Sequence, residues 1–426
     1  MGGLRGQVRA VRVAPPPEVP RRRWEIGFAV AVSFIALHLF VAPSWHSAEA
    51  PERSGLGGFA LAAGVAAAAG GLFHRPGRVL RGTIALVAGA WATIFGLGTT
   101  VGLVWKLGLG QLTFLGAASL VSGLGLLVVG AVLILGVVPR WRRLWAIPAF
   151  LLAVYYLFAP LTIAVFLTHV PPTSIGGHTP KEKGLTYHDV VVTTSDAVRL
   201  AGWYVPSRNR AGVVVLHGSG STRVNVMDHA QVLARAGYGV LMLDARGHGE
   251  SHGVPMDFGW LQHRDVEAGV TFLARRADID PGRIGVLGVS MGAVGALEAA
   301  VTDPRIRAVI SDGHAVASTA DGMAIRSDSW WNLPFYWVAT TGGELMSGAE
   351  APMAMDQAVA RIGPRPVLLI SGRGRDEGIL NRRAAAVREG VELVEMPDVK
   401  HSQGIWRHPE RWTSSVVGFL DRALLG

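Results

Sequence analysis

The chain shows two patterns of hydrophobic and polar positions, and the change between them falls near residue 170. Up to that point apolar residues follow one another in long runs, and no Asp or Glu occurs between Arg53 and Lys181. Beyond it, short β-branched runs alternate with segments in which apolar residues recur at helical spacing. The pattern predicts an apolar helical part followed by a part that mixes strands and helices.

Five apolar runs in the first part have about the length that a helix needs to cross a membrane, roughly 20 residues. They cover residues 24–42, 55–73, 83–105, 112–138 and 144–167. Small residues such as Gly98 and Gly102 are expected to let these helices pack closely. The runs hold no carboxylate except Glu25 at the margin of the first, and His38 is expected to be a packing residue. We therefore predict an anchor or scaffold rather than a transporter.

The positions of Lys and Arg predict how this part is oriented. Twelve of these residues lie in the tail and in the loops after the second and fourth runs, whereas the opposite loops hold only Arg53 and Lys106. Because positively charged loops stay in the cytoplasm, the N-terminus is expected there and everything after residue 168 outside it. Residues 21–50 also resemble a secretory signal, and cleavage after Ala50 would leave four spans with the same final side.

The second part predicts an α/β domain with a mostly parallel, doubly wound sheet. Strands are expected at residues 189–194, 198–204, 212–217, 239–244, 283–289, 306–311, 366–371 and 391–397. Helices are expected at residues 224–236, 260–276, 291–301, 379–389 and 406–425. Ligands of such sheets bind at the carboxyl ends of the strands, so the residues that follow each strand are the candidates for chemistry.

Charge and composition narrow the classes of function. The chain carries 14 basic and 4 acidic residues up to residue 170, but 26 and 27 after it, so the net charge of +9 belongs to the apolar part. No basic stripe with interleaved aromatic residues occurs in the second part, so no nucleic-acid partner is expected. The absence of cysteine excludes disulfides, thiolate metal sites and cysteine nucleophiles.

The segment from Gly288 to Gly292, GVSMG, follows an expected strand and precedes an expected helix. A serine on such a tight turn needs small neighbours, and the turn lifts its hydroxyl above the sheet. We therefore predict that Ser290 is a nucleophile. The glycines at 285, 288 and 292 do not have the G-x-G-x-x-G spacing of a dinucleotide loop.

The glycine-rich turn at residues 217–223, HGSGSTR, follows another expected strand. Such a turn can direct a backbone N–H towards the negative oxygen that develops when a serine attacks a carbonyl. We predict that this oxyanion hole is formed by the backbone N–H groups of Ser219 and Met291. A phosphate loop is the rival interpretation, but it lacks the usual lysine.

These motifs, with residues 243–251 (LDARGHGES) between them, resemble an α/β-hydrolase over roughly 240 residues. The resemblance is strongest to the branch that contains serine aminopeptidases, monoglyceride lipases and related membrane-anchored hydrolases. It implies that the 243–251 segment shapes the fold and that His248 is structural.

The resemblance also places an acid and then a histidine later in the chain. The acid is expected in residues 372–377 (GRGRDE), where Asp376 is preferred and Glu377 remains an alternative, because the spacing is one residue longer than usual and a proline is missing. Asp312, after the preceding strand, is a third candidate. His401 is expected to be the base, and His408 a surface residue.

A long connection at about residues 313–364 is expected to form a cap over the site. Its aromatic segment at residues 330–337 (WWNLPFYW) suits a lipid headgroup boundary, an acyl pocket wall or a local core.

The predicted organisation is a basic tail at 1–23, a membrane domain at 24–168, a linker at 169–188 and a hydrolase domain at 189–426.

Together these features predict a membrane-anchored, outward-facing serine hydrolase that cleaves esters or related acyl bonds with the triad Ser290, His401 and Asp376. No metal or organic cofactor is expected. The expected partners are a small or amphiphilic acyl substrate and membrane lipid. A peptidase or acyltransferase with the same triad is one alternative, and a non-catalytic membrane scaffold is another.

Overall fold

The protein is described from a computed structural model over residues 77–107, 114–168, 173–253, 259–314, 316–326 and 329–426. The predicted basic tail and the apolar runs at 24–42 and 55–73 lie outside these residues. The other three apolar runs lie almost entirely within them.

Each of the three described runs is helical. Helix α1 covers Arg78–Leu107 and helix α2 covers Phe114–Leu135. Helices α3 (Ala146–Ala153) and α4 (Ala159–Thr168) are joined by one wider helical turn at Val154–Phe158.

Glycines allow the helices α1 and α2 to pack closely against each other. A Cβ atom built at Gly89 would lie 2.7 Å from the backbone nitrogen of Leu127, and one at Gly96 would lie 2.5 Å from that of Leu120. Such approaches exclude larger side chains and are typical of helices that associate through small residues. Gly98 contacts Val165 of α4 in the same way.

Within the described residues, two helical stretches are long and apolar enough to cross a membrane by length and composition, Arg81–Gly98 and Arg140–Thr168. The five-span arrangement therefore remains a prediction.

The second part of the chain forms one eight-stranded sheet in the order β1-β2-β4-β3-β5-β6-β7-β8. The strands are β1 His188–Thr193, β2 Arg199–Val205, β3 Gly212–Leu216, β4 Gly239–Leu243, β5 Ile284–Val289, β6 Ile306–Asp312, β7 Val367–Ser371 and β8 Val391–Glu395. Strand β2 is antiparallel to both of its neighbours, β1 and β4. The six strands β3 to β8 are parallel to one another. This sheet has the predicted mostly parallel α/β architecture.

Helices cover both faces of this sheet, which is why its central strands are apolar throughout. Two buried clusters, one on each face, include residues of these helices. The helices of one face are α6 Gln262–Ala274, α7 Met291–Thr302, α10 Met355–Ile362 and α11 Arg375–Ala385, and those of the other are α5 Met227–Arg235 and α13 Pro409–Leu420. Parallel registry aligns Leu216 with Gly288 and Val289 with Asp312, so the segments that follow β3, β5 and β6 meet at one edge.

Two helices form most of the connection between β6 and α10, where a cap was expected. Helix α8 covers Thr319–Ile325, and the cap helix α9 covers Leu333–Ser347. The main departure from the expected boundaries lies in α11, which begins at Arg375 rather than near residue 379. A short helix, α12 at Gly404–Arg407, precedes α13.

Candidate active site

Ser290 lies on a sharp turn between β5 and α7. Its backbone has φ 54° and ψ −111°, a conformation that residues other than glycine rarely adopt. Backbone groups hold the turn, because Ser290 N–H donates to the carbonyl of Asp312 over 2.8 Å. A Cβ built at Gly288 would lie 2.1 Å from the carbonyl oxygen of Gly292, so this position must be glycine. These are the features of a strained turn that presents a nucleophile.

His401 reaches Ser290 from the loop after β8. Its Nε2 lies 2.8 Å from the Ser290 hydroxyl oxygen, although 111 residues separate the two along the chain. The structure thus brings together the serine and the histidine that the sequence selected. At this distance the imidazole can accept the hydroxyl proton.

The carboxylate at His401 belongs to Glu377 and not to Asp376. Glu377 Oε2 lies 2.7 Å from His401 Nδ1, and its other oxygen, Oε1, accepts the Gly372 N–H over 2.6 Å. Asp376 is instead 45% exposed, with its oxygen 3.9 Å from Arg326 of the cap.

The prediction of Asp376 as the partner of His401 is therefore corrected, and the alternative residue, Glu377, occupies that position. The physical reason is that α11 begins at Arg375, so both carboxylates lie in its first turn. Adjacent positions of a helix point about 100° apart, so only one of them faces the end of the sheet.

Asp312, the third candidate for the acid, forms hydrogen bonds with Ser290, Ser402 and Trp412 at this edge of the sheet. Its carbonyl accepts the Ser290 N–H and the Ser402 hydroxyl, the latter at 3.1 Å. Its carboxylate accepts the indole N–H of Trp412 over 2.8 Å. The next residue, Gly313, has φ +74°, and a Cβ there would lie 2.1 Å from the Ser402 hydroxyl. Asp312 therefore joins the serine turn to the histidine loop.

The loop after β3 lies directly against the nucleophile. A Cβ built at Gly218 would be 3.2 Å from that of Ser290, so Ser219 follows immediately beside the site. Met291 is the first residue of α7, where backbone N–H groups have no partner within their own helix. The two residues predicted to form an oxyanion hole thus lie on the two segments that flank Ser290.

A buried arginine supports the loop after β3. The Arg223 N–H donates to the Asp244 carboxylate over 2.7 Å, and its guanidinium pairs with Asp244 and Glu250. The guanidinium also lies 4.4 Å from the ring centre of Trp203. A buried pair of this kind is costly to break, so it fixes the loop in place.

The 243–251 segment is tied to its surroundings by similar bonds. Arg246 donates to Asp265 and Asp196, and His248 is buried with Nδ1 2.9 Å from the Arg246 carbonyl. His408 is partly exposed, and its Nε2 lies 2.6 Å from the Asp398 carboxylate.

The acidic groups around His401 favour the protonated form of its imidazole. The hydrogen bond that His401 donates to the Glu377 carboxylate raises the pKa of His401 above its ordinary value, and the charge of Asp312 acts in the same direction. Burial raises the pKa of Asp312 itself to about 6. Glu377 is 7% exposed and His401 is 48% exposed, so the carboxylate is enclosed and the imidazole faces the opening. This arrangement can take a proton from Ser290 and stabilise the resulting imidazolium.

Comparison with known proteins gives the same picture. Residues 207–344 match the family described as "Serine aminopeptidase, S33". The Arabidopsis thaliana protein WAV2, an alpha/beta hydrolase domain-containing protein, is 27% identical over 262 residues, which are 57% of this chain and 82% of WAV2. The chain belongs to the α/β-hydrolase superfamily. The sheet order, the turn at Ser290 and the family match together establish this.

Other relatives of this α/β-hydrolase are enzymes or proteins named without an activity. Escherichia coli YfhR is 25% identical over 280 residues, covering 62% of this chain and 89% of YfhR. The Aspergillus aculeatus thiohydrolase aneE is 36% identical over 130 residues, 30% of this chain and 41% of that enzyme. Among solved structures, the Pyrococcus furiosus esterase Pf2001 is 30% identical with a TM-score of 0.48, over 60% of this chain and 98% of the esterase.

Proposed function

We propose that this α/β-hydrolase is a membrane-anchored serine hydrolase that cleaves carboxylic esters or related acyl bonds. In this proposal Ser290 attacks the acyl carbon, His401 takes its proton and Glu377 holds the imidazole. The N–H groups of Ser219 and Met291 stabilise the oxyanion, each worth on the order of 3 kcal/mol in the transition state.

The observation that carries the proposal is the continuous chain of short contacts from Ser290 through His401 to Glu377, at 2.8 and 2.7 Å. Three residues distant in sequence meet at the carboxyl edge of the sheet, where such sites occur. A scaffold that had lost its chemistry would have no need to keep a serine in a strained conformation at this place.

The choice of an ester or related acyl bond rests on the chemistry of the site and on the relatives. An acyl-enzyme forms on Ser290 when the leaving group departs with the proton that His401 took from Ser290, and the neutral His401 then takes a proton from the water that releases the acid. The names "esterase" and "thiohydrolase" belong to two proteins that this chain resembles. The matched family carries the name of an aminopeptidase, so cleavage of an aminoacyl amide is the second candidate.

Hydrolysis by the full chain in detergent or vesicles tests the catalytic part. We expect turnover of p-nitrophenyl esters in a series of chain lengths, and loss of all turnover above background in Ser290→Ala. A preference for aminoacyl anilides over esters would favour the peptidase. Folded wild-type protein that turns over neither class would favour the scaffold.

The anchor and its side of the membrane belong to the same proposal. The stretch Arg140–Thr168 is apolar enough to cross a bilayer, and the basic residues at 140, 142 and 143 precede its apolar core. Since positive loops stay in the cytoplasm, the hydrolase domain is proposed to lie outside it. A reporter fused after Gly426 tests this: we expect alkaline phosphatase to be active there and a cytoplasm-dependent fluorescent protein to be dark, and the reverse result would contradict the placement.

A further inference from the structure

The aromatic segment of the cap divides into an inward and an outward set. The ring of Phe335 lies 5.4 Å from that of Tyr155, and the ring of Tyr336 lies against Gly322. The outward set consists of Trp330, Trp331, Leu333 and Trp337, which are 78%, 48%, 48% and 59% exposed. We call these four residues the tryptophan face. Three exposed tryptophans within eight residues are unusual on a surface that meets only water.

The cap helix (Leu333–Ser347) runs beside the last apolar helical stretch. Just before its start, Asn332 accepts a hydrogen bond from the Tyr155 hydroxyl. Near its middle, a Cβ at Gly342 would lie 2.9 Å from the Leu161 side chain. Near its end, Met346 sulfur lies 3.7 Å from the Thr168 hydroxyl.

The order of these contacts shows that the two helices run in the same direction, side by side. The buried small residues Ala339, Gly342 and Gly343 of the cap helix allow this close packing. Further along the same helix, Leu345 is 82% exposed. The cap is therefore built onto the anchor as well as onto the hydrolase domain.

The position of Tyr155 along the apolar stretch sets the depth of the cap helix. Arg140–Thr168 has 29 residues, a length of about 43 Å as a helix, against a hydrocarbon core of about 30 Å. If Arg140, Arg142 and Arg143 mark the cytoplasmic surface, the outer boundary of the core falls roughly 20 residues further on. Tyr155 then lies about 10 Å inside that boundary.

A second contact holds the catalytic side close to the same boundary. The Thr173 hydroxyl donates to the Gly220 carbonyl over 3.2 Å, in the loop beside Ser290. Thr173 is five steps along the chain from Thr168, a reach of at most about 18 Å. On the opposite side of the site, Arg326 of the cap lies 3.9 Å from Asp376, the residue before Glu377.

On the basis of the proposed anchor, we propose that the cap helix is embedded in the outer leaflet of the membrane that carries the chain, with its tryptophan face deepest. The partner of this face is lipid, because the cap helix packs along the last helical stretch, whose own surface is apolar and exposed, with Phe150 58% exposed and Leu151 60% exposed. The substrates that reach Ser290 are then acyl compounds that reside in the leaflet.

The absence of cysteine allows the depth to be measured directly. Single cysteines at Trp331, Trp337 and Leu345 would carry a spin label in the full chain, reconstituted in phosphatidylcholine vesicles. Collision with oxygen reports lipid, and collision with an aqueous nickel chelate reports water. Phe150→Cys serves as the lipid reference, and Arg275→Cys, an exposed residue on the turn that follows α6, as the aqueous reference.

We expect positions 331 and 337 to resemble Phe150, position 345 to lie nearer the surface, and Arg275 to be in water. Aqueous labels at 331 and 337 with a lipid-exposed Phe150 would overturn the embedded cap while leaving the anchor intact. A label at Phe150 in water would overturn the anchor and the inference together. Spin–spin broadening at 331 that increases with protein density would indicate a second copy on this face and would also overturn the inference.

Activity gives the test of the substrate class. The combined variant Trp330→Ser, Trp331→Ser and Trp337→Ser should lose about ten-fold more activity on an acyl ester in vesicles than on soluble p-nitrophenyl acetate. Trp406→Ser, at a 52% exposed tryptophan outside the cap, should change both activities alike. An equal loss on both substrates in the triple variant, or no loss, would overturn the inference. If wild type cleaves neither substrate, the proposed hydrolase itself fails, and the spin labels still decide the position of the cap.

Discussion

At the scale of single residues, the feature that decides the chemistry is which of two adjacent carboxylates meets His401. From the family resemblance we expected the acid within residues 372–377 and preferred Asp376, with Glu377 as the alternative. In the structure a helix begins at Arg375, so Asp376 and Glu377 point in different directions from its first turn. Only Glu377 faces the imidazole. The start of a helix is the least predictable part of its boundaries, since no strong capping residue marks it here.

The paired variants Glu377→Gln and Asp376→Asn separate the two carboxylates. We expect Glu377→Gln to lower kcat by about a hundred-fold or more, because the imidazolium loses its charged partner. Asp376→Asn should stay within a few-fold of wild type, because its contact is with Arg326 at 3.9 Å. Steady-state kinetics on a p-nitrophenyl ester measures both. A larger loss in Asp376→Asn would restore the original assignment.

The same carboxylate sets the acid limb of the pH profile. His401 must be neutral to accept a proton, so kcat/KM is expected to fall as the pH drops through its pKa, which Glu377 raises above the ordinary value. Glu377→Gln removes that charge and lowers the pKa, so the limb should move to lower pH. Asp376→Asn should leave the limb in place. A limb that moves to higher pH in Glu377→Gln would contradict the role of this residue.

At the scale of elements, the sharp turn at Ser290 between β5 and α7, which we call the elbow, is the part that the sequence predicted most fully. The glycine spacing, the preceding apolar run and the following helix are all local signals, and local signals survive in the structure with shifts of a residue or two. The helices of the cap were not predicted from the sequence, because their packing depends on contacts with Tyr155 and Leu161, about 180 residues away. Distant contacts of this kind leave no periodic trace in one sequence.

Two glycines of the same strand provide a matched test of the elbow. A Cβ at Gly288 would lie 2.1 Å from a backbone oxygen, whereas one at Gly285 would meet the Leu420 side chain at 3.3 Å. We expect Gly288→Ala to cost about 2 kcal/mol or more in unfolding free energy and Gly285→Ala less than about 1 kcal/mol. Thermal melting of the full chain in detergent gives the comparison. Equal melting temperatures in the two variants would show that the elbow is not as tightly packed as the structure indicates.

At the scale of the whole molecule, the site is tied to the apolar helices at two places. Thr173 contacts the loop beside Ser290, and the cap helix lies along the stretch that ends at Thr168. The sequence predicted that the two parts adjoin, since only about twenty residues separate the last apolar run from the first strand. It did not predict that the cap packs on the apolar helix, and this contact is the basis of the proposed position of the cap in a membrane.

The account depends most on Ser290 acting as a nucleophile in the intact protein. Treatment of the full chain with a fluorophosphonate, followed by trypsin and peptide mass spectrometry, tests it directly. The expected tryptic peptide, residues 284–305, contains Ser290 as its single serine. We predict one stoichiometric adduct on Ser290 in wild type and none in Ser290→Ala. An adduct on another residue, or folded wild-type protein that forms no adduct, would contradict the proposed mechanism.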